Sequence, residues 1–201
     1  MLPIPSTLPG YEPIDLRAEI MLTAKRLFIQ FGYHGLAMRQ IAESLGVSKA
    51  ALYYYFSDKE ELLMAILLEY LDGIEAVLDE VIAGTSSSWE RIRKFVAHIL
   101  AQPADQRALV RLTSQVMDQL SPPRRTALEK AYHEKFLMKV QGIIRNGVEQ
   151  GELRRVDPSV ATWALLGMLY PYYFPVHASQ MPSSDQVLEQ LLVIYLEGLN
   201  I

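Results

Sequence analysis

From residue 16 onward apolar side chains return every three to four positions, and no stretch alternates strictly between apolar and polar, so the pattern predicts helices throughout and no sheet. The first helix runs from about Leu16 to Phe31, with Ile20, Ala24, Leu27, Phe28 and Phe31 on one face, and stops at Gly32. A short second helix, about Met38 to Leu45, turns Ile41 and Leu45 inward and ends at Gly46. Ser48 is placed to cap a third, which carries Leu52-Tyr53-Tyr54-Tyr55-Phe56. Ser57-x-x-Glu60 reads as a capping box opening a long fourth helix that extends to about Ala83. Two short helices joined at Gly46 make a helix-turn-helix. Past Gly84-Thr85-Ser86-Ser87-Ser88, helices are expected over about Trp89 to Ala101, Ala104 to Gln119, Pro122 to Gln150, Pro158 to His177 and Asp185 to Gly198. The expected fold class is all-α with about nine helices. It divides into an arm over 1–15, loose because residues 1–14 hold four prolines and one glycine, a three-helix segment over 16–60, and a larger helical segment over 61–201.

Charge changes the picture more by distribution than by total. The chain's formal charge is -4, yet residues 1–59 hold six Lys or Arg against five Asp or Glu, while residues 60–201 hold thirteen against eighteen. The first segment is therefore free to meet a polyanion, and the acidity sits in the second. The 201 residues include no cysteine, which removes disulfides, thiolate metal sites and thiol nucleophiles. His34, His98, His133 and His177 include no pair at i, i+4, and there is no Gly-rich phosphate loop, nucleophile elbow or HExxH. No metal, no cofactor and no enzymatic activity is expected. Without an apolar leader or an apolar run of about 18 residues, the expectation is a cytoplasmic protein with no membrane partner.

The three consecutive tyrosines carry the functional signal. At about 100° per residue they fan across roughly 200° of a helix and cannot share one buried face. Leu52 and Phe56 define the inward stripe, which leaves Ala50 and Tyr54 as the outward ridge and Tyr53 and Tyr55 on its flanks. A small residue one turn before an aromatic suits a major groove, where a ring can touch a thymine methyl and phenolic hydroxyls can reach phosphates. Lys59 adds a positive charge where the next helix begins, a natural phosphate clamp.

With these features in order, the segment FGYHGLAMRQIAESLGVSKAALYYYFSDKEELL resembles the amino-terminal DNA-binding domain of the TetR family of tetracycline-repressor-like regulators. The Gly-aromatic turn, the Ile-Ala pair, Gly-Val-Ser, Leu-Tyr-x-x-Phe and the Lys-Glu opening of the fourth helix stand at the family's spacing, over residues 18–66. The resemblance implies groove contacts from Arg39, Lys49, Ala50 and Tyr54, phosphate contacts from Tyr53, Tyr55 and Lys59, and Ser48 as the cap that presents them. The sequence departs from the family at Leu36-Ala37, where a hydroxyl usually opens the second helix, and at Ala50 and Ala51, where Gly and Thr or Ser are common. It further implies a double-stranded, palindromic operator, a homodimer joined through a four-helix seam, and release by a small-molecule effector.

The remaining helices supply candidates for those last two roles. Bulky residues expected to face the interior are Phe95, Met117, Tyr132, Phe136, Trp163, Tyr170 and Phe174, with His98, Gln115 and His133 as polar partners, which suits an apolar or aromatic effector. Pro171 and Pro175 should bend or end their helix and set Tyr170, Tyr172, Tyr173 and Phe174 around the break. The dimer seam is expected on Ala161, Leu165 and Met168 of one helix and Leu188, Leu191, Leu192, Tyr195 and Leu199 of the last. The reading is a ligand-responsive repressor; a constitutive DNA-binding module without an effector and a helical enzyme or lipid carrier are its rivals.

Overall fold

A computed structural model describes residues 15–84, 87–174 and 184–199. Its elements, among these residues, are all helical: α1 Leu16–Phe31, α2 Met38–Leu45, α3 Lys49–Tyr55, α4 Lys59–Ala83, α5 Ser88–Leu100, α6 Ala104–Val116, α7 Pro122–Tyr132, α8 Met138–Glu149, α9 Pro158–Leu169 and α10 Ser184–Leu199. A π turn, His133–Leu137, joins α7 to α8 as one rod, so the described residues form nine separate rods, as the pattern predicts. Two compact units divide the chain at Leu62 and Leu63, inside α4. The expected arm lies outside the described residues, except Asp15, whose carboxylate caps α1 by accepting from the Arg17 and Ala18 N–H groups.

In the first unit, Ile20, Ala24 and Phe28 of α1, Ile41 of α2 and Leu52 of α3 are buried around one core, with Phe56 closing it. Phe31, expected on the buried face, is exposed. Gly46 ends α2 in a left-handed conformation (φ 68°), and the Val47 N–H donates back to the Ala42 carbonyl, so the turn between α2 and α3 is tight and internally bonded.

The second unit packs α5, α8, α9 and α10 around Phe95, Val96, Ile144, Leu165 and Leu196. The Tyr195 hydroxyl donates to the Ala161 carbonyl at 2.8 Å and locks α10 onto α9. Gly147 permits a close approach, since a Cβ there would lie 2.7 Å from the Leu153 side chain and 2.8 Å from Ser88 Cβ. The helix expected to reach His177 ends at Leu169, and Tyr170–Tyr173 form a 3-10 turn with Pro171 at its start. Pro175 and His177 lie outside the described residues.

Candidate nucleic-acid interface

The presented ridge follows from how α3 is held. The Ser48 hydroxyl accepts from the Ala51 N–H at 3.1 Å and fixes the start of the helix. Leu52 and Phe56 are buried, and the Arg17 guanidinium stands 5.3 Å from the Phe56 ring centroid, pinning α1 to the far end of α3. With that stripe inward, Lys49, Ala50 and Tyr54 face outward; Tyr54 is 84% exposed and rests edge-on against Tyr55 at 5.2 Å. Tyr53 is half-exposed on one flank and Tyr55 is partly covered on the other. A large ring held out in water on a seven-residue helix contributes nothing to the core and is free to meet a partner.

On α2, Arg39 is exposed and its Nε bonds Glu43 at 2.5 Å, an i, i+4 pair that raises the guanidinium's pKa through the hydrogen bond first and the charge second. Ala37 offers no acceptor where the family usually places a hydroxyl. Half of a capping box survives: Gln40 accepts from the Ala37 N–H at 2.7 Å.

Lys59 departs from its expected place as an open clamp. Its ammonium donates to the Tyr33 carbonyl at 2.7 Å and the Leu36 carbonyl at 2.9 Å, and lies 4.2 Å from the Tyr33 ring centroid. Burial lowers its pKa. Tyr33 in turn stacks on Phe28 at 5.9 Å. The turn into α2 is thus held from α4 and α1 together, and two of the three ammonium hydrogens are committed there. The cap of α4 also sits one residue later than Ser57-x-x-Glu60 implies. Asp58 accepts from the Glu61 N–H at 2.7 Å, and Glu61 accepts from the Ser57 N–H and hydroxyl.

The effector candidates separate in the second unit. Phe95, Phe136 and Tyr132 come together, with centroids 5.8 Å apart for the phenylalanines and 5.2 Å for Tyr132 and Phe136. Met117 and Phe174 are half-buried, Phe174 edge-on to Tyr170, and His98 is half-buried with its pKa lowered by desolvation. Trp163, Tyr170, Gln115 and His133 are exposed and do not face the interior. For Trp163 the reason is angular: α9 buries Ala161, Leu165 and Leu169, and two residues past Ala161 is about 200° around the helix. In the same unit the Tyr70 hydroxyl pairs with the buried Gln102 amide at 3.1–3.2 Å, a contact that periodicity does not reveal.

The residues of the expected seam divide by burial. Ala161, Leu165, Leu192 and Tyr195 are buried in the chain's own core, and Met168, Leu188 and Leu191 pack half-buried against it, so they serve folding first. The Leu199 side chain is outside the described residues. The apolar side chains these helices expose are Val160 and Trp163 on α9 and Val193 and Ile194 on α10.

Among the described residues no helix is long and apolar enough to cross a membrane, and no group of His, Asp or Glu is arranged to hold a metal. Residues 20–66 match the model of bacterial regulatory proteins of the tetR family, and residues 85–174 match that of the tetracyclin repressor-like C-terminal domain. The helix-turn-helix transcriptional regulator YfiR of Bacillus subtilis is 31% identical over 145 residues, 71% of this chain and 70% of YfiR. The solved TetR-family regulator PfmR of Thermus thermophilus is 28% identical with a TM-score of 0.76, covering 90% of this chain and 99% of PfmR. AibR, solved in complex with isovaleryl coenzyme A and operator DNA, is 25% identical with a TM-score of 0.76 over 90% of this chain and 97% of AibR. The chain belongs to the TetR family. It is accordingly a DNA-binding transcriptional regulator and not an enzyme.

Proposed function

We propose that this regulator is a cytoplasmic repressor that binds a palindromic operator as a homodimer and is released by a small apolar or aromatic effector. The observation that carries the reading is the outward ridge of Lys49, Ala50 and Tyr54 on a helix whose other face is fully committed to the core. Base edges are read by the few side chains that reach into the groove, and Arg39, Tyr53 and Tyr55 flank that ridge for the backbone. Lys59 keeps one ammonium hydrogen for a phosphate. The homodimer reading is supported by Val160, Trp163, Val193 and Ile194, which would be covered by a second copy; two-fold symmetry then sets the recognition helices at one spacing and makes the operator an inverted repeat. AibR's complex with a small molecule and operator DNA supports effector control in a relative of the same fold. Selection of bound sequences from random duplex DNA with the full chain tests the reading. It should return an inverted repeat with half-sites about one helical turn or a multiple apart. Enrichment of single, unpaired motifs, or none, would contradict it.

A further inference from the structure

Arg39 and Glu43 stand two residues before and two after the buried Ile41, which at about 100° per residue sets both on the opposite side of α2. Their side chains are 70% and 57% exposed, and the Arg39 Nε donates to Glu43 Oε1 at 2.5 Å. Glu43 is itself fixed at the turn into α3, because its carbonyl accepts from the Gly46 N–H at 3.2 Å. A pair this open to water adds little to stability, and Arg before Glu is the weaker order along a helix. In a helix-turn-helix the first helix crosses the phosphate backbone, where a bare carboxylate weakens binding. What the carboxylate does for this helix is therefore to be sought in its effect on the guanidinium.

That effect is twofold. Held through Nε, Arg39 keeps both terminal NH2 groups side by side and offers only the end of its fork outward. Its charge is also balanced locally, so a phosphate approaching it meets the Glu43 carboxylate, whereas the neutral acceptors of a base edge do not carry that penalty. Two parallel N–H groups fit the O6 and N7 acceptors that guanine presents in the major groove. Lys49, at the start of α3, is exposed and has no ion pair among the described residues, which leaves it the stronger phosphate ligand of the two.

We propose that Glu43 is a positioning residue for DNA reading, which turns Arg39 from a phosphate contact into the reader of a guanine. The inference rests on the DNA-binding reading above and goes beyond the flanking role given there to Arg39. The test is selection from random duplex DNA with the full-length wild type, Arg39→Ala, Glu43→Ala and Glu43→Gln. Fluorescence anisotropy follows on the selected sequence, on the same sequence with each guanine replaced, and on random duplex over a range of salt. Wild type should prefer guanine at one position by at least about fivefold, and Arg39→Ala should lose the preference at that position alone. Glu43→Ala should lose most of the same preference, bind random duplex more tightly and steepen its salt dependence by about one, as the released guanidinium takes a phosphate. Glu43→Gln keeps an acceptor for Nε without the charge, so it should hold the guanine preference to within about twofold of wild type while also tightening on random duplex. All three variants should melt close to wild type, since the pair is exposed. Glu43→Ala with the wild-type preference, or with equal losses on every duplex, would overturn the inference. A glutamine variant no better than alanine would reduce Glu43 to a bare charge and overturn it as well. A sequence preference in which no guanine depends on Arg39 defeats this inference alone, whereas a wild type without any sequence preference defeats the base-reading ridge beneath it.

Discussion

The Lys59 ammonium reaches two carbonyls of the turn that leads into α2, and the aromatic face of Tyr33 covers it from below. Because Ala37 cannot cap α2 with a side chain, the order of this turn rests on Lys59 and on the Gln40 carbonyl oxygen. Lys59→Met should therefore speed amide exchange at residues 33–37 and weaken operator and random DNA alike. Unchanged exchange would reduce Lys59 to a phosphate contact. Tyr54 belongs to the other kind of residue. Its ring meets Tyr55 edge-on and stays out of the core, so Tyr54→Ala should leave melting nearly unchanged and cost about 1–3 kcal/mol on the operator alone. Equal losses on operator and random duplex, followed by fluorescence anisotropy, would remove its base-reading role.

Along the elements, a ladder of charges ties α4 to the rod of α7 and α8: Lys135 bonds Asp72 at 2.7 Å and Glu75 at 2.6 Å, and Lys139 bonds Asp79 and, at 3.4 Å, Glu75. Glu75 is held below its ordinary value of 4.5, first by the Lys135 hydrogen bond, so its contribution is full above that value and lost as pH falls through the lowered one. Lys135, bonded first to Asp72, and Lys139, bonded first to Asp79, are raised above 10.5 and contribute until pH climbs through their raised values. Glu75→Gln should lower the melting temperature at pH 7, with the difference from wild type shrinking as pH falls below 4.5. A difference independent of pH would show that the ladder does not stabilise the unit. These helices also mark how far a pattern can be read. The 3.6 period located every rod, because each buries one stripe, and the outward ridge of α3 was legible from angle alone. The π turn was not, though its cause is in the sequence: Leu128, Tyr132, Phe136, Val140 and Ile144 recur every fourth residue, a stripe that would drift by about 40° per step on a regular α-helix. Wider winding returns it to the core. Gln102 sits outside any helix, where periodicity says nothing about burial, and the bulk of Trp163 suggests the interior whereas its angle on the helix points outward.

For the whole molecule, the decisive surface lies on α9 and α10. Val160 is 68% exposed, Trp163 56% and Ile194 65%, whereas the leucines between them are spent on the chain's own core. In the proposed dimer, pairing through this face would present two copies of α3 to one duplex. The direct measurement is sedimentation velocity of the wild-type chain and of Trp163→Asp with Ile194→Asp, each alone and with the selected inverted repeat. The account predicts a wild-type dimer that binds as two chains per duplex. It predicts a folded, monomeric variant at least about a hundredfold weaker on the full repeat, since linked half-sites lose their avidity. A variant that stays dimeric, or a monomer that binds the full repeat as tightly as wild type, would contradict it.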